Sequence, residues 1–320
     1  MRRLFPVTDQ TATSGSGGPL GARGEGGEAA EDREWSLDEL AEAYAYPQPD
    51  LQPHSQRQAV PQRQADLHPQ QQRQADPQQH PDRQRQPHPQ PDSQARTGGP
   101  RPWLRANMVS TLDGAAQHDG RSQPISTAAD MRIFGTLRGL ADVVVVGAET
   151  VRLEGYRPAR ARAEFAARRA AAGQAPAPAV AVVTAGLDLD FSLPLFTSPL
   201  VPTLILTGAA APPDRVAAAE KAGVRVVIAG DGMGVEPARA VQALGELGHT
   251  RLLTEGGPRL LGQFVAAEVL DELCLTIAPM LTVGDAQRIA GGPSVAVPQR
   301  FALASLLEEE GFLFGRYRRP

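Results

Sequence analysis

The chain is poor in the residues on which several kinds of chemistry depend. Its 320 residues include one cysteine, Cys274, and one lysine, Lys221. A single cysteine excludes an intramolecular disulfide and any multi-cysteine metal cluster. Cys274 sits in Glu272-Leu273-Cys274-Leu275-Thr276-Ile277, which reads as a small core position rather than a nucleophile. No apolar run approaches the ~20 residues needed to span a bilayer. Met1-Arg2-Arg3 is a basic start with no apolar region behind it, so a signal peptide is not expected. The net charge of −4 argues against a nucleic-acid surface, which is usually basic. A soluble, cytoplasmic protein is expected, with neither a nucleic-acid nor a membrane partner.

What the chain has in excess is concentrated in one place. From Pro47 to Pro100 there are 16 Gln and 11 Pro, no aromatic residue, and only Leu51, Val60 and Leu67 as larger aliphatics. Such a segment cannot bury enough apolar surface to offset the entropy of ordering it. Residues 47–100 are therefore expected to be a disordered insert, and the Gly/Ser/Glu-rich residues 1–34 a flexible N-terminal segment. Four of the six histidines (His54, His68, His80, His88) fall in the insert, where spaced histidines are ordinarily solvated. No metal site is expected. Between the two segments, Ser36 and Glu39 stand at capping-box spacing before Leu37, Leu40 and Tyr44. That pattern predicts a short amphipathic helix within 35–46, docked on the main domain, 101–320.

Past Arg101 strands and helices alternate. Strands are predicted at 104–112, 143–146, 180–184, 203–207, 224–228, 251–254, 273–278 and 312–317. Helices are predicted at 127–140, 213–222, 237–247 and 258–267. Ile133, Phe134, Leu137 and Leu140 are expected on the buried face of the first of these. The class is α/β: a three-layer αβα domain with a mostly parallel sheet covered on both faces. In such sheets ligands bind at the carboxyl ends of the strands.

Four stretches fall at those ends. Leu252-Leu253-Thr254-Glu255-Gly256-Gly257-Pro258-Arg259-Leu260 joins an apolar strand to a helix through two glycines and a proline. Glycines admit close approach of a ligand, proline suits the first helical turn, and the helix start offers unpaired N–H groups to a pyrophosphate. Thr111-Leu112-Asp113-Gly114 ends another strand, Ser122 precedes the helix carrying Arg138, and Val146-Gly147-Ala148-Glu149-Thr150 ends a third. Taken singly, each is equally a structural turn.

In this order and spacing they resemble the pyrimidine reductase family of riboflavin biosynthesis, whose domain has the dihydrofolate-reductase-like fold. The likeness runs from Trp103 to about Arg319, and Leu270-Asp271-Glu272-Leu273 with Ala278-Pro279 adds to it. Met1–Pro6 and Trp35–Pro47 resemble the leader of some members. The resemblance implies NADPH as cofactor and reduction of a ribosylaminopyrimidine to its ribityl product, the substrate being of the 5-amino-6-(ribosylamino)uracil type. It implies cofactor contacts from Val109, Gly147, Ala148, Thr150, Glu154, Thr184 and Ala185, and from Gly256, Gly257, Pro258, Arg259 and Leu260. Substrate contacts are implied for Asn107, Ser122, Arg138, Arg160 and Glu255. Glu255 would be catalytic; Asp113 would either share that role or fix its turn. Many bacterial members have lysine where this chain has Asn107, which leaves the phosphorylation of the substrate open. The loop after Glu154 lacks the Asp-Asp-Pro of some members. The zinc deaminase domain of bifunctional members needs more cysteines than this chain has. A pterin reductase and a silent NADPH-binding paralogue are the alternatives. A homodimer is implied, with sheet edges and the strand after Asp271 as candidates for pairing.

Overall fold

The computed structural model describes residues 1–5, 34–47 and 101–320. The expected insert, apart from Pro47, and most of the N-terminal segment lie outside the described residues.

One ten-stranded sheet organises the molecule, in the order β1-β9-β10-β8-β2-β7-β3-β4-β5-β6. The strands are β1 Arg2–Phe5, β2 Trp103–Thr111, β3 Val143–Gly147, β4 Ala179–Val183, β5 Leu204–Thr207, β6 Arg225–Ile228, β7 Arg251–Thr254, β8 Glu272–Ala278, β9 Ala302–Glu309 and β10 Phe312–Arg318. From β8 to β6 every neighbour is parallel. The β8, β10, β9 and β1 end is antiparallel. β8 pairs with β2 on one side and β10 on the other, so the strand after Asp271 offers no free edge. The edges are β1 and β6.

The apolar strands fold this way because both faces are covered. In β3, Val144 and Val146 point to one face, and Val143 and Val145 to the other, all at most 1% exposed. On the first face lie α1 Leu37–Ala43, α2 Ala128–Leu140, α3 Ala148–Leu153, α4 Ala163–Ala171, α5 Pro194–Thr197 and α6 Pro213–Lys221. On the second lie α7 Pro237–Glu246 and α8 Pro258–Ala266, packed through Leu244, Leu260, Leu261 and Phe264. Each fully buried Leu or Phe contributes roughly 1.5–3 kcal/mol.

The predicted strands and long helices are present, with ends shifted by a residue or two. Sequence patterning does not reveal α4, α5, β9 or β1. Arg2–Phe5 departs from the expectation of a flexible start: its backbone pairs with β9, and the Met1 ammonium lies 3.2 Å from Glu309.

The short helix of the leader does dock. Ser36 Oγ accepts from the Glu39 N–H at 3.2 Å, and Glu39 returns a bond to the Ser36 N–H at 2.9 Å. Leu40 and Tyr44 are buried in the same core as Ile133, Leu137 and Phe165. The carbonyls at its C-terminal end accept from two buried guanidiniums. Arg105 on β2 donates to Tyr44 O at 2.8 Å, and Arg316 on β10 donates to Ala43 O and, at 2.8 Å, to Ala45 O. Both arginines pair with Glu272 on β8, at 2.8 and 2.5 Å. Burial alone would raise the Glu272 carboxyl, but the Arg105 and Arg316 charges bring it down to about 2. Cys274, one strand position pair along, is a core residue whose thiol is pushed up to about 12, chiefly by burial.

Candidate active site

At the carboxyl ends of β3, β4 and β7 lies a cavity of about 1310 Å³, walled by α2 and α3 and the loop behind α3. It exceeds the roughly 300–1,000 Å³ usual for one small ligand. Its floor is made where β3 and β7 are stitched together past their last ladder pairs. The Glu255 N–H donates to Val145 O at 3.1 Å, and the Gly147 N–H to Gly256 O at 2.9 Å.

The glycine turn is tightly constrained. Gly256 has φ of +81°, a region that favours glycine, and the Gly256–Gly257 peptide is cis. A Cβ on Gly257 would lie 2.6 Å from Thr150 Oγ1, and one on Gly147 would lie 3.6 Å from the Gly257 nitrogen. Gly257 is the N-cap of α8 and makes no side-chain cap, so the helix start faces the cavity as bare backbone. Such an end attracts anions through its N–H groups and its partial positive charge.

Glu255, directly before this turn, also lines the cavity. Its side chain is only 3% exposed. Arg138, on α2, donates from Nε and Nη2 to the two carboxylate oxygens, each at 2.6 Å. Tyr156, in the loop after α3, donates its hydroxyl to Oε2. The Arg138 guanidinium also lies 4.4 Å from the Phe134 ring centroid and 5.4 Å from that of Tyr156. Burial works against the Arg138 charge, yet Glu255 holds it more firmly protonated than usual. Burial, and then the Glu255 charge, raise the Tyr156 hydroxyl well above the ordinary range. The three side chains thus form a fixed unit of carboxylate, guanidinium and phenol.

Most of the residues singled out from the sequence meet here. Asn107, Val109, Ser122, Arg138, Gly147, Ala148, Thr150, Glu154, Arg160, Thr184, Ala185, Glu255, Gly257, Pro258, Arg259 and Leu260 all line the cavity. Asn107 Oδ1 is buried without a partner, an acceptor waiting for a donor. The Ser122 N–H and hydroxyl both donate to Glu154 Oε1 at 3.2 Å, joining the loop before α2 to the end of α3. Thr184 Oγ1 is occupied by the Leu187 N–H at 3.0 Å, so it shapes the turn after β4. Arg160 is exposed on the rim.

Two of the sequence candidates lie outside the lining. Gly256 contributes its carbonyl to the stitching above. Asp113 is exposed and spends its carboxylate on loop structure. It accepts from the Thr111 hydroxyl, and from the Thr282 and Val283 N–H groups at 3.1 and 2.7 Å. The Thr111 hydroxyl, followed by the Val283 N–H, lowers its pKa. Of the two roles left open by the sequence, the structure gives Asp113 the turn rather than the cavity.

Among the other lining residues, three that carry polar or aromatic groups were not placed at the site by the sequence. Tyr156 lies in a loop noted only for what it lacked. Phe134, expected in the core, faces the cavity beneath Arg138. Asp130 is 6% exposed and hydrogen-bonded to Ser126 and Thr276. Counting back from Arg138 in steps of four would have found both Phe134 and Asp130, since such residues share a helix face. Among the described residues no group of three or more His, Cys, Asp or Glu is placed to hold a metal ion, and no helix is long and apolar enough to cross a membrane.

Residues 102–308 match the family model described as the RibD C-terminal domain. Similar proteins include one from Archaeoglobus fulgidus, 27% identical over 196 residues, covering 61% of this chain and 88% of the relative. Another, from Methanothermobacter thermautotrophicus, is 31% identical over 196 residues, covering 61% and 86%. Both carry the name 2,5-diamino-6-ribosylamino-4(3H)-pyrimidinone 5′-phosphate reductase. Among solved structures, a pyrimidine reductase-like protein from Corynebacterium diphtheriae superimposes with a TM-score of 0.61 at 28% identity, covering 68% of this chain and 91% of that one. A deaminase/reductase from Thermotoga maritima shares the fold, with a TM-score of 0.53 at 18% identity. With its strand-end glycine turn and its buried Glu255–Arg138 pair, the chain belongs to the RibD C-terminal domain family, the pyrimidine reductases of riboflavin biosynthesis.

Proposed function

We propose that this chain uses NADPH to convert the ribosyl group of a 5-amino-6-(ribosylamino)pyrimidine 5′-phosphate to ribityl. The observation that carries this reading is the position of Glu255. It directly precedes the glycine turn suited to a pyrophosphate, and it is clamped by Arg138 in the wall of the same cavity.

The residues present fit a dinucleotide. The turn 256–257 is kept free of side chains where a Cβ would strike Thr150, the α8 start is uncapped, and the cavity has room for a second ligand beside it. Gly257, Arg259 and Leu260 would hold the pyrophosphate, with Thr150 and Gly147 below and Ala185 toward the far end. When bound, the nicotinamide supplies a hydride to the sugar carbon that is attached to nitrogen.

The protein's own part is alignment and proton handling. Opening the sugar breaks its C1′–O4′ bond, forms C1′=N, and places a proton on O4′. Addition of hydride to C1′ then requires a proton to be kept or delivered at nitrogen. Glu255, with one hydrogen bond from Tyr156 and two from Arg138, keeps acceptor capacity to hold the substrate amine and pass that proton. Arg138 has its remaining N–H groups for the pyrimidine oxygen or phosphate. The exposed Arg157 and Arg160 on the cavity rim suit a sugar phosphate.

Steady-state oxidation of NADPH by the full chain, with ribosylaminopyrimidine phosphates and dihydrofolate in parallel, tests the reading. Turnover of the former alone is expected. Turnover of dihydrofolate alone, or of neither, would overturn it.

A further inference from the structure

Asp130 is a carboxylate in an unusual position. It occupies the wall of the cavity, is 6% exposed, and faces no cation in any ion pair of the described residues. Burying a carboxylate without a cation is costly unless hydrogen bonds satisfy it. Two do so in part: the Ser126 hydroxyl donates to Oδ2 at 2.5 Å, and the Thr276 hydroxyl, on β8, donates to Oδ1 at 2.6 Å. An ionised carboxylate has about four acceptor sites, so each oxygen retains a free lone pair. Burial raises the pKa of this group, and the two hydroxyls counter that. Both protein partners supply protons, which sets Asp130 as an acceptor.

Its placement gives that acceptor a direction. Asp130, Phe134 and Arg138 succeed one another at intervals of four along α2, so they form one stripe on one helix face. All three line the cavity. An aromatic ring therefore lies between an acceptor at one end and the guanidinium–Glu255 pair at the other. A flat heterocycle lying along Phe134 would present one edge to Asp130.

We infer that Asp130 reads the amino-bearing edge of the pyrimidine and makes the chain selective for a 2-amino over a 2-oxo ring. A 2-aminopyrimidin-4-one offers two adjacent donors, the exocyclic amine and the ring N–H, which match a two-oxygen acceptor. A uracil offers its O2 at the same position, and two acceptors would then face each other. Sites built around a buried hydrogen bond discriminate strongly against an analogue that leaves a group unpaired. This inference rests on the proposed pyrimidine substrate and names its class.

The test separates the inference from the reaction by measuring binding. Calorimetric titration of the full chain compares 2,5,6-triaminopyrimidin-4-one with 5,6-diaminouracil, which differ in the group at position 2 and in the proton that the uracil carries on N1. Wild-type protein is expected to bind the triamino ring at least about tenfold tighter, one charged hydrogen bond being worth about that or more. Asp130→Asn, which can turn its NH₂ toward a carbonyl, should erase or invert the ratio. Ser126→Ala keeps the carboxylate with one donor fewer, and should lower the ratio without inverting it. Equal binding of both rings by the wild type would overturn the inference, as would a ratio unchanged in Asp130→Asn. A preserved binding preference without turnover of any ribosylated substrate would leave Asp130 as the reader and remove the reductase reading instead.

Discussion

Arg138 and Glu255 meet as a fork: two guanidinium nitrogens on two carboxylate oxygens, both at 2.6 Å. One lies near the end of a helix and the other directly after a strand, 117 residues apart. Lysine cannot reproduce that geometry, because it offers a point charge on a flexible stem. Arg138→Lys should therefore fold normally and lose about 100-fold in kcat/KM, equivalent to about 2.7 kcal/mol. Glu255→Gln should lose at least as much while cofactor affinity changes little. Steady-state kinetics and a cofactor titration on the same variants check both. Near wild-type kcat/KM in Arg138→Lys would remove the pair from the mechanism.

The glycine turn makes a separate prediction about the cofactor. A methyl at Gly257 would lie 2.6 Å from Thr150 Oγ1, so Gly257→Ala must displace the turn, α3 or the Thr150 hydroxyl. Cofactor affinity should fall at least about tenfold, or 1.4 kcal/mol, as read from quenching of protein fluorescence. Adding Thr150→Ala should restore part of the loss. Identical affinities in Gly257→Ala and wild type would show that the turn does not hold the dinucleotide.

The parallel part of the sheet is legible in the sequence because its strands are buried on both faces and read as short apolar blocks, as in Val143–Val146. Glu255–Leu260 is legible because glycine and proline at a strand–helix corner have a specific physical use. The rest fails for identifiable reasons. β9 carries Ser305 in its middle and Glu308 and Glu309 at its end, so its apolar pattern is broken. Asp130 reads as an ordinary first-turn acid of a helix, although Thr127 makes no side-chain cap there. Tyr156 comes from a loop with no periodicity, and its contact with Glu255 spans 99 residues. Asp113 shows the converse: a motif residue whose sequence context is shared by a turn and by a site.

The leader helix behaves energetically as core. Leu40 is fully buried against residues of α2 and α4, and the Tyr46 hydroxyl donates to Leu252 O on β7 at 3.1 Å. Leu40→Ala should cost about 2–5 kcal/mol, the range for a large-to-small change in a packed interior. Urea unfolding should give the same order of loss as Leu137→Ala on α2. A loss below about 0.5 kcal/mol would mean that the leader is loosely attached.

Glu272 determines the acid behaviour of that same region. Its carboxyl is held at about 2 against an ordinary 4.5. Since the folded-state pKa is the lower one, the stabilisation is complete above pH ~4.5 and disappears as the pH falls toward about 2. The shift corresponds to something on the order of 3 kcal/mol. Glu272→Gln leaves Arg105 and Arg316 buried without a counter-charge, and breaking a buried pair in this way costs about 3–5 kcal/mol. At neutral pH the variant should be less stable than wild type by that amount. As the wild-type carboxyl protonates, the two proteins should converge, because a neutral acid and an amide then face the same guanidiniums, those of Arg105, Arg316 and Arg318. Chemical unfolding of both at a series of pH values from neutral down to 2.5 measures the gap. A gap that stays constant over that range would show that the Glu272 charge does not hold Arg105 and Arg316, and with them the carbonyls of Ala43, Tyr44 and Ala45, in place.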